Sequence, residues 1–155
     1  MTIQTLEPII RANPFFQGMD DRYIELITGC AKNVRFSEGQ VVFREGDPAD
    51  QFYLIRSGLV SLQMMVPHRG LTTVMTVGDG EVLGWSWLFP PYQWRFDART
   101  QEPTHALAFD GKCLRTKCEE DYDLGYEIFK RFMQVITARL ESTRLQLLDV
   151  YGNDR

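Results

Sequence analysis

Histidine and cysteine are scarce in this sequence, with two of the first and three of the second among 155 residues. His68 and His105 are the only imidazoles available as general bases. Gly84-Trp85-Ser86-Trp87-Leu88 has the outline of a nucleophile elbow, but Leu88 stands in place of the second glycine and the surroundings do not read as α/β. Cys113 and Cys118 are five apart with no second pair following, which excludes the usual zinc spacings. Cys30, Cys113 and Cys118 are too few and too scattered for a disulfide framework, which favours a reducing, cytoplasmic compartment. The phosphate-binding loop of nucleotide hydrolases is missing. So are a basic-then-apolar leader and any apolar run near the roughly 20 residues that a membrane-spanning helix needs. Charge of one sign is in short supply too: seventeen Lys and Arg face twenty-one Asp and Glu, so nothing draws the whole molecule to nucleic acid. These absences leave a single domain without catalysis, metal or membrane. A chain of this size buries about 70% of its unfolded surface and needs no staples to fold.

What is present changes period twice. Asn13-Pro14 reads as a turn, and Asp20 or Asp21 can cap a short helix with Ile24, Ile27 and Ala31 on one face. Short extended runs follow: Val34 to Phe36, Val41 to Phe43, Phe52 to Ile55, Leu59 to Val66, Leu71 to Val77, Val82-Leu83, Phe96 to Thr100 and His105 to Phe109. Turn signals such as Gly46-Asp47-Pro48, Ser57-Gly58, Gly78-Asp79-Gly80 and Glu102-Pro103 separate most of them. About eight closely spaced short strands argue for an antiparallel sandwich, barrel or roll. After Gly111 the helical period returns, with Cys113 to Glu120 as a short turn and about Tyr122 to Tyr151 as a long helix stopped by Gly152. Phe129, Met133, Ile136, Leu140, Thr143, Leu147 and Val150 form a heptad seam. The seam packs on the chain's own barrel or also pairs with a partner's helix, and the sequence leaves both open.

The stretch from Gly39 to Val60, with Glu45-Gly46-Asp47-Pro48-Ala49-Asp50 running into Phe52-Tyr53-Leu54-Ile55 and Gly58, resembles the cyclic-nucleotide-binding domain of the catabolite-activator and protein kinase A regulatory-subunit type. The likeness extends from Asn13-Pro14-Phe15-Phe16 to the last helix. It implies a mainly β fold with flanking helices: a double-stranded β-helix, or jelly-roll-like β-roll, with a short N-terminal helix and a long C-terminal one. The expected layout is a single domain over 1–155, with a helical lead-in over 1–32, the β-roll over 33–110 and C-terminal helices over 111–152.

The resemblance also implies a ligand cassette for cAMP or cGMP, with no other cofactor. Gly80-Glu81 matches the pair that opens it, which makes Glu81 the partner of the ribose hydroxyl, followed by Val82, Leu83, Gly84, Trp85 and Ser86. Backbone N–H groups at the start of a short helix would cradle the phosphate. Beyond Gly84 the pattern departs from the family. Small residues give way to Trp85, Trp87, Phe89, Tyr92 and Trp94, and Trp94 falls where an arginine is expected, with Arg95 one residue later. A one-residue slip reverses the face of a strand residue. Thr143, shortly after Arg139-Leu140, matches a purine contact from the long helix, and Arg144 beside it is a phosphate or base partner or a solvated flank. Three readings follow: a cyclic-nucleotide sensor signalling through its C-terminal helix, a sensor for another small ligand, or a ligand-free interaction domain plugged by its own aromatics. The candidate partners are a second copy of the chain, as a homodimer through 125–151, and an unidentified protein. The sequence stops at Tyr151-Gly152-Asn153-Asp154-Arg155, where DNA-binding relatives begin a hinge, so direct DNA binding is not expected.

Overall fold

The computed structural model describes residues 3–152. The Asn13-Pro14 turn stops the first helix, α1 (Ile3–Ala12), because a residue before proline is driven out of the helical region. Asn13 is extended and its Oδ1 accepts from the Phe15 N–H at 2.8 Å, which caps a single 3-10 turn over Pro14–Phe16. Asp20 then caps α2 (Asp21–Thr28), accepting from the Arg22 N–H at 2.9 Å. This helix is shorter than its apolar period suggests. Gly29 ends it, and Ala31, expected on its face, opens β1 (Ala31–Phe36) opposite Phe109.

The remaining strands are β2 (Val41–Phe43), β3 (Gln51–Ser57), β4 (Leu59–Val66), β5 (Gly70–Gly78), β6 (Val82–Leu83), β7 (Asp97–Thr100) and β8 (Thr104–Asp110). They form two antiparallel four-stranded sheets, ordered β1-β8-β3-β6 and β2-β7-β4-β5. This is the β-roll that the sequence resemblance implies. Gly58, between β3 and β4, has φ +123°, and a Cβ there would lie 2.4 Å from the Thr104 hydroxyl, so only glycine fits. The core between the sheets and helices is built on Phe16, Ile24, Ile27, Phe52, Leu54, Leu107 and Phe109. Phe52 stacks on Phe109 with centroids 4.5 Å apart.

Helix α3 (Gly111–Glu120) is a full ten-residue helix rather than a turn, because Asp110 caps it by accepting from the Cys113 N–H. Asp121 leaves the helical region, and α4 (Tyr122–Gly152) follows. Its first half is docked, with Leu124, Ile128 and Phe132 buried. Arg131 reinforces the docking by donating to the carbonyls of Phe15 and Gln17 at 2.7 and 2.9 Å. Every described side chain from Leu140 to Val150 is exposed. Asn153, Asp154 and Arg155, on which the expected hinge position falls, lie outside the described residues.

Tyr53 on β3 illustrates how burial sets pH dependence. Burial pushes its phenol up to about 12 from 10.0. A folded-state value above the unfolded one leaves stability intact below pH 10 and removes it as pH rises from there toward 12. The full shift is worth about 2–3 kcal/mol. Urea unfolding of Tyr53→Phe should therefore give a flatter pH dependence between pH 10 and 12 than the parent. Parallel curves would mean that the phenol is solvated in the native state.

Candidate functional site: the cassette beneath the long helix

The turn that carries Gly80 and Glu81 is tied down on all sides. The Gly80 N–H donates to the Ile55 carbonyl at 2.7 Å, and the Ile55 N–H returns to the Glu81 carbonyl at 3.0 Å. Asp79 accepts from the Gly58 N–H at 2.8 Å, and the Asn13 side-chain amide donates to the Gly80 carbonyl at 2.9 Å. Gly80 itself takes φ +79°. The Glu81 carboxylate is exposed, with one oxygen accepting from the Gly78 N–H at 3.1 Å and the other open to a ligand. Val82 and Leu83 are buried and pair with Leu54 and Tyr53 of β3.

Beyond Gly84 the segment is packed with its own aromatics. Trp85 is half-buried against Phe96, Ser86 is buried, and Ser86–Leu88 make one 3-10 turn without a side-chain cap. Trp87 is wholly buried, stacked on Phe52 at 4.9 Å and edge-on to Phe132 of α4. Trp94 is buried and stacked on Phe43 with centroids 3.7 Å apart and planes within 7°. Gly84, at φ +95°, lies against the outer edge of its indole, where a Cβ would stand 2.6 Å from the ring. The Trp94 backbone pairs with the conspicuous turn of the early motif, donating to the Asp47 carbonyl at 3.0 Å and accepting from the Gly46 N–H at 2.8 Å. Arg95, the next residue, is exposed.

Two arginines from the C-terminal helices grip the segment instead. Arg115 of α3 donates to the Trp87 carbonyl at 2.6 Å, lies 4.1 Å over the Tyr92 ring and pairs with Asp50 at 3.5 Å. Arg139 of α4 donates to the Val82 carbonyl and lies 5.2 Å over the Trp85 ring. Burial pushes the Arg139 guanidinium below its ordinary value, and the Glu81 charge works in the opposite direction. Arg139 Nη1 is buried and has no hydrogen-bond partner among the described residues. A groove of about 380 Å³ opens here, lined by Asn13, Phe15, Gly80, Glu81, Val82 and Arg139, with Arg131 and Gln134 on its α4 side.

Of the residues singled out in the sequence, Gly80, Glu81 and Val82 line the groove, and Leu83, Gly84, Trp85 and Ser86 continue from it into the packed segment. Arg95 and Thr143 do not line it. Thr143 is exposed on α4 and its hydroxyl donates to the Arg139 carbonyl at 2.9 Å. Arg144 pairs with Glu141 at 2.9 Å on the exposed part of the same helix. The groove residues that were not candidates in the sequence include Arg139 and Asn13. Arg139 stands four residues before Thr143, on the same helical face, and that spacing was the available signal.

A β-roll with a glutamate-bearing turn, a cassette and a long helix laid across it is the architecture of a cyclic nucleotide-binding-like domain. The chain belongs to the cyclic nucleotide-binding domain family, whose model matches residues 33–121. It is 27% identical over 149 residues to the CRP-like cAMP-activated global transcriptional regulator of Mycobacterium tuberculosis, covering 96% of this chain and 65% of that protein. Protein CNGC15a of Medicago truncatula is 30% identical over 140 residues, covering 89% of this chain and 19% of that protein. The chain thus spans under two thirds of the length of these relatives. Among solved structures, a cyclic nucleotide-binding domain from Methylobacillus flagellatus superposes with a TM-score of 0.78 at 20% identity, covering 95% of this chain and 83% of the other. The sensor domain of the transcriptional regulator DNR from Pseudomonas aeruginosa gives 0.71 at 15% identity, covering 90% and 93%. Among the described residues, no helix is long and apolar enough to cross a membrane, and no cluster of three or more His, Cys, Asp or Glu could hold a metal ion.

Proposed function

We propose that the chain is a non-catalytic cytoplasmic sensor that takes an anionic, hydroxyl-bearing ligand of the cyclic-nucleotide class, cAMP or cGMP, beside Glu81 and reports it through α4. The observation that carries this reading is Arg139. The cassette places a tryptophan at the expected arginine position, and a guanidinium from the long helix faces the glutamate instead. A ribose hydroxyl would donate to the free Glu81 oxygen, and a phosphate would replace the Val82 carbonyl as the Arg139 partner. A ligand that binds Arg139 in one position of α4 better than in another shifts the helix by that difference in affinity. The exposed second half of α4 then passes the shift to a second copy or to a protein partner, and DNA is not contacted directly. The cAMP dependence named for the mycobacterial relative supports this choice of ligand.

A second reading, a ligand-free interaction domain, is favoured by the burial of Trp94 against Gly84 and Phe43, which fills space with the chain's own side chains. Calorimetric titration of the protein with cAMP and cGMP at high concentration separates the two. The sensor reading expects heat with one of them. It expects that heat to be lost in Glu81→Ala, to weaken by about 10–100-fold in Arg139→Ala because a charge-assisted bond is removed, and to stay unchanged in Arg95→Ala. No heat with either nucleotide sinks the cyclic-nucleotide version of the sensor.

A further inference from the structure

Cys30 and Cys113 are 83 positions apart in the chain, yet their sulfurs lie 3.3 Å apart, one thiol hydrogen-bonded to the other. The approach is built by the backbone. Cys30 sits in the turn between α2 and β1, and its carbonyl accepts from the Asp110 N–H at 2.9 Å. The side chain of the same Asp110 accepts from the Cys113 N–H at 3.0 Å in the first turn of α3. One residue therefore fixes both partners, at the end of the β1–β8 ladder where Ala31 pairs with Phe109. Both thiols are half-buried, within reach of a small oxidant. Cys118 is buried and five residues further along α3, about 140° around the helix, so it faces elsewhere.

We propose that Cys30 and Cys113 are a reversible oxidation site that closes an intramolecular disulfide in response to hydrogen peroxide. The sulfurs need to close from 3.3 Å to the roughly 2.05 Å of a disulfide. The balance is complete. The Cys113 sulfur attacks one peroxide oxygen, the O–O bond breaks and water leaves with the Cys113 proton, giving a sulfenic acid. The Cys30 sulfur then attacks that sulfur, the S–O bond breaks, and the hydroxyl leaves as a second water carrying the Cys30 proton. Two thiols lose two electrons in all and the peroxide gains them. A thiol reductant reverses the bond by exchange. Burial, followed by the hydrogen bond with Cys113, pushes the Cys30 thiol up to about 12, which fits a resolving rather than an attacking role. In a reducing compartment the pair rests as thiols.

The bond would join the start of the β-roll to the first turn of α3, the helix from which α4 continues after Asp121. Oxidation would thereby restrain the output helix independently of any ligand at Glu81. The test uses the full chain and hydrogen peroxide at a few equivalents. Free thiols counted after denaturation should fall from three to one, the intact mass should drop by about 2 Da, and a peptide map should link Cys30 to Cys113. The melting temperature should rise by about 5–10 °C and return on adding dithiothreitol, because the bridge closes a long loop. Cys118→Ser should behave as the parent, whereas Cys30→Ser should gain oxygen at Cys113 without any link. Gain of oxygen in the parent with no loss of 2 Da overturns the proposal. So does a link that uses Cys118 or joins two chains.

Discussion

Trp94→Ala is expected to lower the free energy of unfolding by about 3–5 kcal/mol, the range for removing a buried large aromatic. The indole is stacked face to face on Phe43 and touches Gly84, and its backbone bonds hold it against the Gly46-Asp47 turn, so the vacated space cannot collapse easily. Arg95→Ala should change stability by no more than about 0.5 kcal/mol, because its side chain is exposed. Gly84→Ala should cost about 1–3 kcal/mol, since the added methyl must stand where the Trp94 ring lies and the backbone there is at φ +95°. The double variant tests the contact itself. Once the indole is gone the methyl has room, so the two losses should add to more than the double variant shows, leaving only backbone strain for Gly84. Urea unfolding with unchanged slopes measures all four proteins. Equal costs for Trp94→Ala and Arg95→Ala would place the wrong one of these neighbours inside.

That neighbouring pair also shows what was legible in the residues. The strand string and its turn glycines pointed to an antiparallel sandwich, barrel or roll, because alternating apolar positions and obligatory reversals are local properties, and the family resemblance narrowed this to the roll. Gly58 and Gly46 take positive φ as their turns require. Glu81 was singled out through the resemblance, because Gly80-Glu81 is a contiguous pair that a short stretch of sequence can match. The residue that faces it was not, since Arg139 comes from 58 positions further along and depends on where α4 crosses the roll. Period alone read Ala31 as helical, although its partner Phe109 in the ladder lies far away in the chain. Composition showed three scattered cysteines, and only the folded chain brings two of them to 3.3 Å. Arg115 went unnoticed for the same reason: its partners, the Trp87 carbonyl, the Tyr92 ring and Asp50, come from two separate loops.

The largest effect on assembly is expected from Leu140→Glu combined with Leu147→Glu. The heptad seam runs from Phe129 to Val150 and lies beside the docked face of α4, with Phe129 and Met133 exposed already in the first half. Leu124, Ile128 and Phe132 anchor the first half of α4 to the roll, whereas Leu140, Leu147 and Val150 stand more than half exposed. Leu145 and Leu148 are exposed beside them, so this half carries apolar surface that the chain's own roll does not cover. The proposed occupant is a second copy of the same helix, crossing by knobs into holes about a two-fold axis. Burying a leucine is worth about 1.5–3 kcal/mol, and the two-fold axis doubles each substitution. Replacing four leucines in the pair by like-charged carboxylates should therefore weaken self-association by at least about 1000-fold. Sedimentation velocity would read this as a dimer turning into a monomer, with the melting of the isolated roll nearly unchanged because both positions are exposed in the single chain. A parent protein that is monomeric at high micromolar concentration would remove the dimer from the proposed mechanism and leave the exposed half of α4 to a different partner. If the variant loses association while still titrating with nucleotide, α4 divides its work: Arg139 and the residues before it meet the ligand, and the half beyond transmits the result.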